Sequence, residues 1–545
     1  MEGIERLFVP TAVAVCLMML GLVGCEDEEY KPPLGEGPAV LVDQYHSRMQ
    51  NHSDYKLEKG NYSYQGIFGY RRAIDHLDDN GFQIRTLRTM ELSEERLEGF
   101  DVLFINLVDQ SRPDFTEEEH ELIDDWVEEG GGLFVIADHT NVYRSAERIN
   151  PFLEPMDLEV GFHTLVDQGP EYSVAGNAWP LIFDFEPHPV TRGVEMISMQ
   201  TGAPILTDHG IAHSSDESFA DYWDEDDKGG FYGNWKHDGD EDLEPRGPLA
   251  AVAAREYGEG RVVVTGDQNM FGDAWLHFGH NFELFMNAMQ WLAGEEDAAP
   301  VREARPEGLN IGLDMAPNEF RVGRKGDWGY YVFFVNLNRD RDVTASAKMG
   351  VDNADDVLFL MEPTVELDQE SIERIEAFFE QGKTVMLSFE ADRIAPETVS
   401  MLQEIAPDFS LEADGTTYEV SEDAEEFEDL DIDPVEGPLG LASSQLDVDD
   451  LEVASLNGGQ GLSKYLLEVS SEWGEPFVTA ESGDGSVDVA RRASVDDGEL
   501  IVFVQDGFWR NRTLGDSETD EPTSENADAI ELQYRLLDYL KEASR

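Results

Sequence analysis

Short apolar runs alternate with amphipathic stretches along most of the chain. DVLFINLV (101–108) is almost continuously apolar over the length of one strand, the pattern of a strand covered on both faces. TEEEHELIDDWVEEG (116–130) follows, with Leu122, Ile123, Trp126 and Val127 on one helical face. Thr116 and Glu119 stand at capping-box spacing, and Gly130 to Gly132 end the helix. LFVIAD (133–138) is the next predicted strand.

The same order returns later. DVLFLME (356–362), DQESIERIEAFFEQG (368–382) and VMLSFEAD (385–392) repeat strand, helix and strand, without a gap from Thr116 to Asp138. In this register Asp138 falls on Glu390 and His139 on Ala391. GRVVVTGDQNMFGD (260–273) parallels ELIVFVQDGFWRN (499–511), and each is followed by a helix opened by an asparagine, Asn281 or Asn526. Each half opens on a short strand, AVLVDQ (39–44) or LNIGLDM (309–315). Alternating strands and helices predict an α/β fold with mainly parallel sheets. Right-handed crossovers then line the strand C-termini along one edge, where such sheets bind ligands.

At 545 residues the chain is too long for one ordinary domain. Boundaries follow from composition: a leader at 1–24, an acidic linker at 25–37, a first domain at 38–295, a linker at 296–307 and a second domain at 308–545. The leader is apolar from Leu7 to Val23 and ends LVGC, which resembles the bacterial lipoprotein box with Cys25 as the lipidated residue. The expected location is the cell envelope, with the exported body held to a membrane by an N-terminal lipid. The only other cysteine is Cys16, so the body has no cysteine nucleophile and no disulfide.

Net charge is −78, with 116 acidic against 38 basic residues. This argues against nucleic acid as a partner, since phosphate contacts need basic surfaces. An acidic, Lys-poor surface suits a saline exterior, where ions screen self-repulsion. GKT (382–384) mimics the end of a phosphate-binding loop, but Ala377 stands where its first glycine belongs. No nucleotide cofactor is expected.

All twelve histidines lie between His46 and His280, which assigns any chemistry to the first half. Asp43 and His46 follow the first strand, Asp138 and His139 a central one, and Asp267 a late one; His188 opens a turn. The expectation is that Asp138 and His139 are catalytic, with His139 as general base or ligand. Asp43, His46, His188 and Asp267 are the expected ligands of a divalent metal, Zn, Mn or Fe. Against this stands the ordinary use of an aspartate after a strand, which is to cap the next turn. His120 lies on a charged helix face and His76 on a polar turn of YRRAIDHLDDNG (70–81), and both are expected to be inert. The long acidic segment 207–248 carries aromatics and reads as a lid or a surface insertion.

The segments DVLFINLVDQ, GGGLFVIADH, HPVTRGV and GEGRVVVTGDQNMFGD together resemble the class I glutamine amidotransferase-like superfamily. The closer resemblance is to its branch of trehalose-utilisation-like, GldG-like and uncharacterised exported proteins. The resemblance implies a flavodoxin-like three-layer sandwich in each half. It also points to Asp43–His46 and Asp138–His139 as paired site residues. Amidotransferases of this class use a cysteine after a central strand; residues 137–140 are the comparable turn and hold none. Two functions are therefore expected. One is a metal-dependent or acid/base, hydrolase-like site for a polar or carbohydrate-like ligand such as an envelope glycan. The other is a non-catalytic scaffold lipoprotein of an envelope transport or motility complex.

Overall fold

The computed structural model describes residues 35–47, 59–60, 62, 68–168, 178–223, 233–295, 308–315, 329–350, 355–363, 365, 367–389, 396–413, 416–419, 454–456, 468–469, 473–482, 485–504, 507–514 and 527–544. The leader, Cys25, the linker 296–307, Glu390 and Ala391 lie outside the described residues. Among the described residues no helix is long and apolar enough to cross a membrane.

The first half builds β1 (Ala39–Asp43), α1 (Arg71–Asp79), β2 (Gln83–Leu87), β3 (Val102–Asn106), α2 (Glu117–Glu128), β4 (Gly132–Ile136), α3 (Ser145–Leu153), β5 (Ala250–Tyr257), β6 (Gly260–Thr265) and α4 (Asn281–Leu292). The second builds β7 (Leu309–Asp314), α5 (Tyr331–Asn338), β8 (Val343–Lys348), β9 (Val357–Met361), α6 (Gln369–Glu380), β10 (Thr384–Ser388), β11 (Gly485–Val495), β12 (Gly498–Phe503) and α7 (Ala527–Ala543). The first sheet runs β2-β1-β3-β4-β6-β5 and the second β8-β7-β9-β10-β12-β11, the same order twice. The first five strands of each order pair in parallel, and the last is an antiparallel hairpin partner. The expected mainly parallel α/β sandwich is thus present in both halves.

The repeat extends to backbone detail. Leu107 after β3 and Glu362 after β9 are both left-handed, with φ of 47° and 43°. Each donates its N–H to the last carbonyl of the next strand, Ile136 or Ser388. The first helix of each half is capped from the loop after that half's last parallel strand. Asp273 Oδ1 accepts the Arg72 N–H at 2.6 Å, and Asn511 Oδ1 accepts the Val332 N–H at 2.9 Å. These groups satisfy N–H donors that a helix start leaves open. The predicted capping box is also present, with the Glu119 N–H on Thr116 Oγ1 and the Thr116 N–H on Glu119 Oε2.

Strand alternation divides the core. One face of the first sheet (Leu41, Leu103, Leu133, Val262) packs under α2 and α3. The other (Val42, Phe104, Phe134, Val263) packs with α1 and α4 into a cluster that continues into β7, α5, β8 and α7. The two inner layers therefore share one hydrophobic interior. Trp275 stands at the seam, stacked on Phe278 and edge-on to Tyr331 and Phe334.

Arg72 supplies the polar lock of this seam. Its guanidinium reaches out of α1 to the carbonyls of Asn338 (2.9 Å), Asp340 (3.1 Å) and Val343 (2.6 Å), and to Thr344 Oγ1 (3.3 Å). Asn338 ends α5, so the cation meets carbonyls at the negative end of a helix. His76, expected on a polar turn, is buried one helical turn further along α1, with its Nε2 3.3 Å from that of His277. The His277 backbone carbonyl accepts the Ala347 N–H from β8. Arg72→Met removes the cation and leaves four buried acceptors without it. We expect a loss of about 3–5 kcal/mol in denaturant unfolding, and an unchanged midpoint would show that apolar packing alone holds the seam.

Candidate functional site

β3, β4 and β6 end side by side. Asn106, Ile136 and Thr265 stand in register across the three strands, so their side chains share a face. Ile136 belongs to the inner cluster, which places Asn106 and Thr265 on the inner face at the carboxyl edge. All three are at most 1 % exposed. Neither amide atom of Asn106 has a hydrogen-bond partner, and nor does the Thr265 hydroxyl.

Two residues beyond Ile136, Asp138 is still extended, with φ −154° and ψ 171°, so it keeps the same side of the sheet. Its Oδ1 accepts the His139 N–H at 2.8 Å. This is the turn-capping role that an aspartate after a strand often has, but it uses one oxygen only. Asp267 leaves the neighbouring strand and is wholly buried. Its two oxygens accept N–H groups from Gln200 and Asn269. Gly202 permits this approach, since a Cβ there would lie 2.8 Å from the Asp267 Cβ. Gln200 is 1 % exposed, and both atoms of its side-chain amide lack a partner.

Burial pushes both carboxyls up. Asp267 rises to about 6; Asp138 rises well above the usual carboxylate range, through burial and then the negative charge of Asp267. Of the two, Asp138 is the member driven further towards its protonated form. Burial drives the His139 imidazole down to about 3, so the ring is neutral. Its Nδ1 lies 2.6 Å from Thr140 Oγ1, and its Nε2 lies 3.9 Å from Asp138 Oδ1. A histidine this weakly basic positions better than it abstracts protons. The backbone then turns through Thr140, Asn141, Tyr143 and Arg144 with φ of 47–61°. Left-handed geometry costs a non-glycine residue about 1–2 kcal/mol. The strained stretch is held by the Gln110 N–H on the Tyr143 carbonyl and by Asn141 bonding Glu147 twice.

The expected partners Asp43 and His46 do not join this pair. They lie on the outer face under α2, and β3 separates β1 from β4, a gap of about 10 Å at two strand spacings. His46 Nδ1 is 2.8 Å from Asp43 Oδ2, its Nε2 is 3.3 Å from Glu119 Oε1, and Phe115 stacks on the ring at 3.8 Å. The Glu119 contact is off line for a hydrogen bond and acts through charge. Burial opposes the imidazolium, but the two carboxylates outweigh it and lift His46 to about 9. His46 and bonds from Thr116 and Leu92 take Glu119 down to about 2, again against the pull of burial. This is a charged structural tie with both ring nitrogens occupied by carboxylates.

His188 is also elsewhere. Its Nδ1 accepts the Val190 N–H in a short turn, and its ring packs on Trp291 beside the charges of Glu256 and Arg261. Arg261 lies where β6 begins, so His188 sits at the opposite end of that strand from Asp267. Among the described residues no group of three or more His, Cys, Asp or Glu side chains is arranged to hold a metal ion. The expected four-ligand set is corrected on this point: Asp267 joins Asp138, Asp43 joins His46 and Glu119, and His188 caps a turn. Two grooves, of about 790 and 430 Å³, lie at the other edge of the sheet and are lined by residues including Glu98, Trp126 and Glu129, and Asp101 and Arg261 respectively. Neither contains the carboxyl pair.

Residues 67–289 match DUF4350, a domain of unknown function. No curated protein matches the chain. Similar solved structures include the mmIFT52 N-terminal domain, at 17 % identity and TM-score 0.34, over 47 % of this chain and 97 % of that one. A ThuA-like protein from Bacteroides uniformis matches at 14 % and 0.27, over 50 % and 98 %. A β-galactosidase from Rahnella sp. R3 matches at 13 % and 0.28, over 50 % and 33 %.

Sequence reasoning missed Asn106, Gln200 and Glu119 as members of these two clusters. Asn106 had a visible signal, as the one polar residue inside DVLFINLV. Glu119 was read only as a cap.

Two pH responses follow. Burial lifts Asp273 to about 8; a raised carboxyl stabilises the fold at low pH and loses that contribution as pH climbs through about 8. Asp273→Asn keeps the acceptor for Arg72, as Asn511 does in the second half. Melting curves should show the variant gaining on wild type above pH 5, by about 1.4 kcal/mol per pH unit up to about 8. The His46 contribution has the same sign, and that of its partner Glu119 the opposite one. The His46 stabilisation is full below about 6.5 and fades as pH rises through about 9; the Glu119 contribution is full above about 4.5 and fades towards about 2. Unfolding of His46→Gln should therefore show its largest deficit against wild type at pH 5–6 and a smaller one at pH 10.

Proposed function

We propose that this is an exported, lipid-anchored protein whose first half carries an acid/base site of hydrolase type, centred on Asp138 and Asp267. The observation that supports this reading is a pair of buried carboxyls on adjacent strand ends, both pushed up by burial, with the charge of Asp267 raising Asp138 further. Asp138 acts as general acid and gives its proton to a leaving group. Asp267 is the group that accepts a proton from water, and His139 positions Asp138. No step requires a metal. The lipid anchor at Cys25 and the envelope location rest on the N-terminal sequence alone, and the amidotransferase-like kinship on the quoted motifs.

A scaffold role in an envelope complex is the second reading. It is favoured by the lack of histidine in the second half, which keeps the fold without those groups. That half still has a polar centre at its own carboxyl edge, where Arg510 and Tyr330 meet Glu362.

The test is hydrolysis of a panel of nitrophenyl glycosides and esters by wild type, Asp138→Asn and Asp267→Asn between pH 4 and 9. The expected result is a rate with one limb near pH 6 and a loss of at least about 100-fold in both variants. Equal rates in all three proteins at every pH would sink the enzyme reading in favour of the scaffold.

A further inference from the structure

Asn106 and Gln200 are the unexplained groups at this edge. Each is at least 99 % buried, and each carries a donor and an acceptor with no partner in the protein. A buried amide without partners costs about 1–3 kcal/mol per group, and native interiors contain few of them. Their placement is specific. Asn106 shares a face and a register row with Ile136, the residue two before Asp138. Gln200 donates its backbone N–H to Asp267. Asn106 thus lies one strand from Asp138, and Gln200 is joined to Asp267 through its own backbone.

The surroundings define what such amides can hold. No cationic side chain is among the groups that hold or perturb Asp138 and Asp267. Burial also disfavours the charged forms of Asp138 and His139. A site that disfavours charge on its own ionisable groups imposes the same desolvation on a charged ligand. An anion would meet the carboxyl pair as well, inside a chain of net charge −78.

We propose that Asn106 and Gln200 are the ligand-selecting groups of the Asp138–Asp267 site, and that they take an uncharged ligand with adjacent hydrogen-bond donors and acceptors, as hydroxyl or carboxamide groups provide. The inference rests on the acid/base reading for its location and adds the ligand's chemical class. The Thr265 hydroxyl, on the same face and also without a partner, is a third contact of the same kind.

Two near-isosteric substitutions test it, Asn106→Leu and Gln200→Met, in the full exported chain. Groups that hold the fold together lower the melting temperature when removed. Groups kept for a ligand raise it or leave it unchanged, because an apolar side chain removes the unsatisfied amide. The expected result is an equal or higher melting temperature for the free variants. Maltose and N-acetylglucosamine serve as neutral hydroxyl and amide probes; inorganic phosphate and spermidine serve as charged ones. At least one neutral probe should raise the melting temperature of wild type by a degree or more, with the shift lost in the double variant.

The proposal is overturned if the free variants melt lower, if neither neutral probe shifts wild type, or if a charged probe gives the shift that the double variant loses. Carbon-13 NMR titration of Asp138 in the same samples separates this from the acid/base reading. A raised Asp138 without neutral-probe binding leaves the acid/base site standing and removes the ligand class. An Asp138 that titrates near 4 removes the acid/base site, whatever the probes do.

Discussion

The Arg72 guanidinium on the end of α5 is the contact on which the two-half architecture turns. The inner layers of both sheets are apolar and would pack in many relative positions, since hydrophobic burial is not directional. A planar cation with three carbonyls and a hydroxyl as acceptors is directional. It fixes where α1 meets α5 and so where one sheet stands against the other. Trp275 and its aromatic neighbours then fill the space that this geometry defines. The segment 277–279 even pairs with β8 through Phe278 and Ala347, so part of the second half's sheet edge is covered by the first half.

The carboxyl pair depends on the same construction. Asp267 is held between Gln200 and Gly202 on one side and the loop after β6 on the other. That loop carries Asp267, which frames the site, and Asp273, which caps α1. One short segment therefore joins the site to the seam. Burial at this edge of the sheet is what raises Asp138 and Asp267.

Much of the fold was legible in the chain. Period-two and period-3.6 runs located the strands and helices, the internal repeat announced two sheets, and the Thr116–Glu119 box formed as its spacing required. The site was half legible. That aspartates at strand ends would matter could be read from the strand pattern. Which of them would meet could not, because residues on two strand ends come together only if strand order and face agree. Asp43 and Asp138 end strands of one sheet but face opposite sides, and α2 draws Asp43 and His46 towards Glu119. Asp267 reaches Asp138 because β6 inserts beside β4, a neighbour more than one hundred residues distant in sequence. Asn106 and Gln200 carry no charge and no motif. Their distinction is the lack of a partner, which exists only in three dimensions.

In a chain with 38 basic residues against 116 acidic ones, five arginines among the described residues are nonetheless buried: Arg72, Arg148, Arg339, Arg491 and Arg510. Acidic residues still outnumber basic ones about three to one over the chain, so the net charge of the exterior is strongly negative. Dissolved salt therefore acts on the molecule unevenly. Mobile ions screen acid–acid repulsion at the surface within about 10 Å at 0.1 M, but they do not enter the seam around Arg72. Dilution of the medium strains the periphery first, while the junction between the halves keeps its strength.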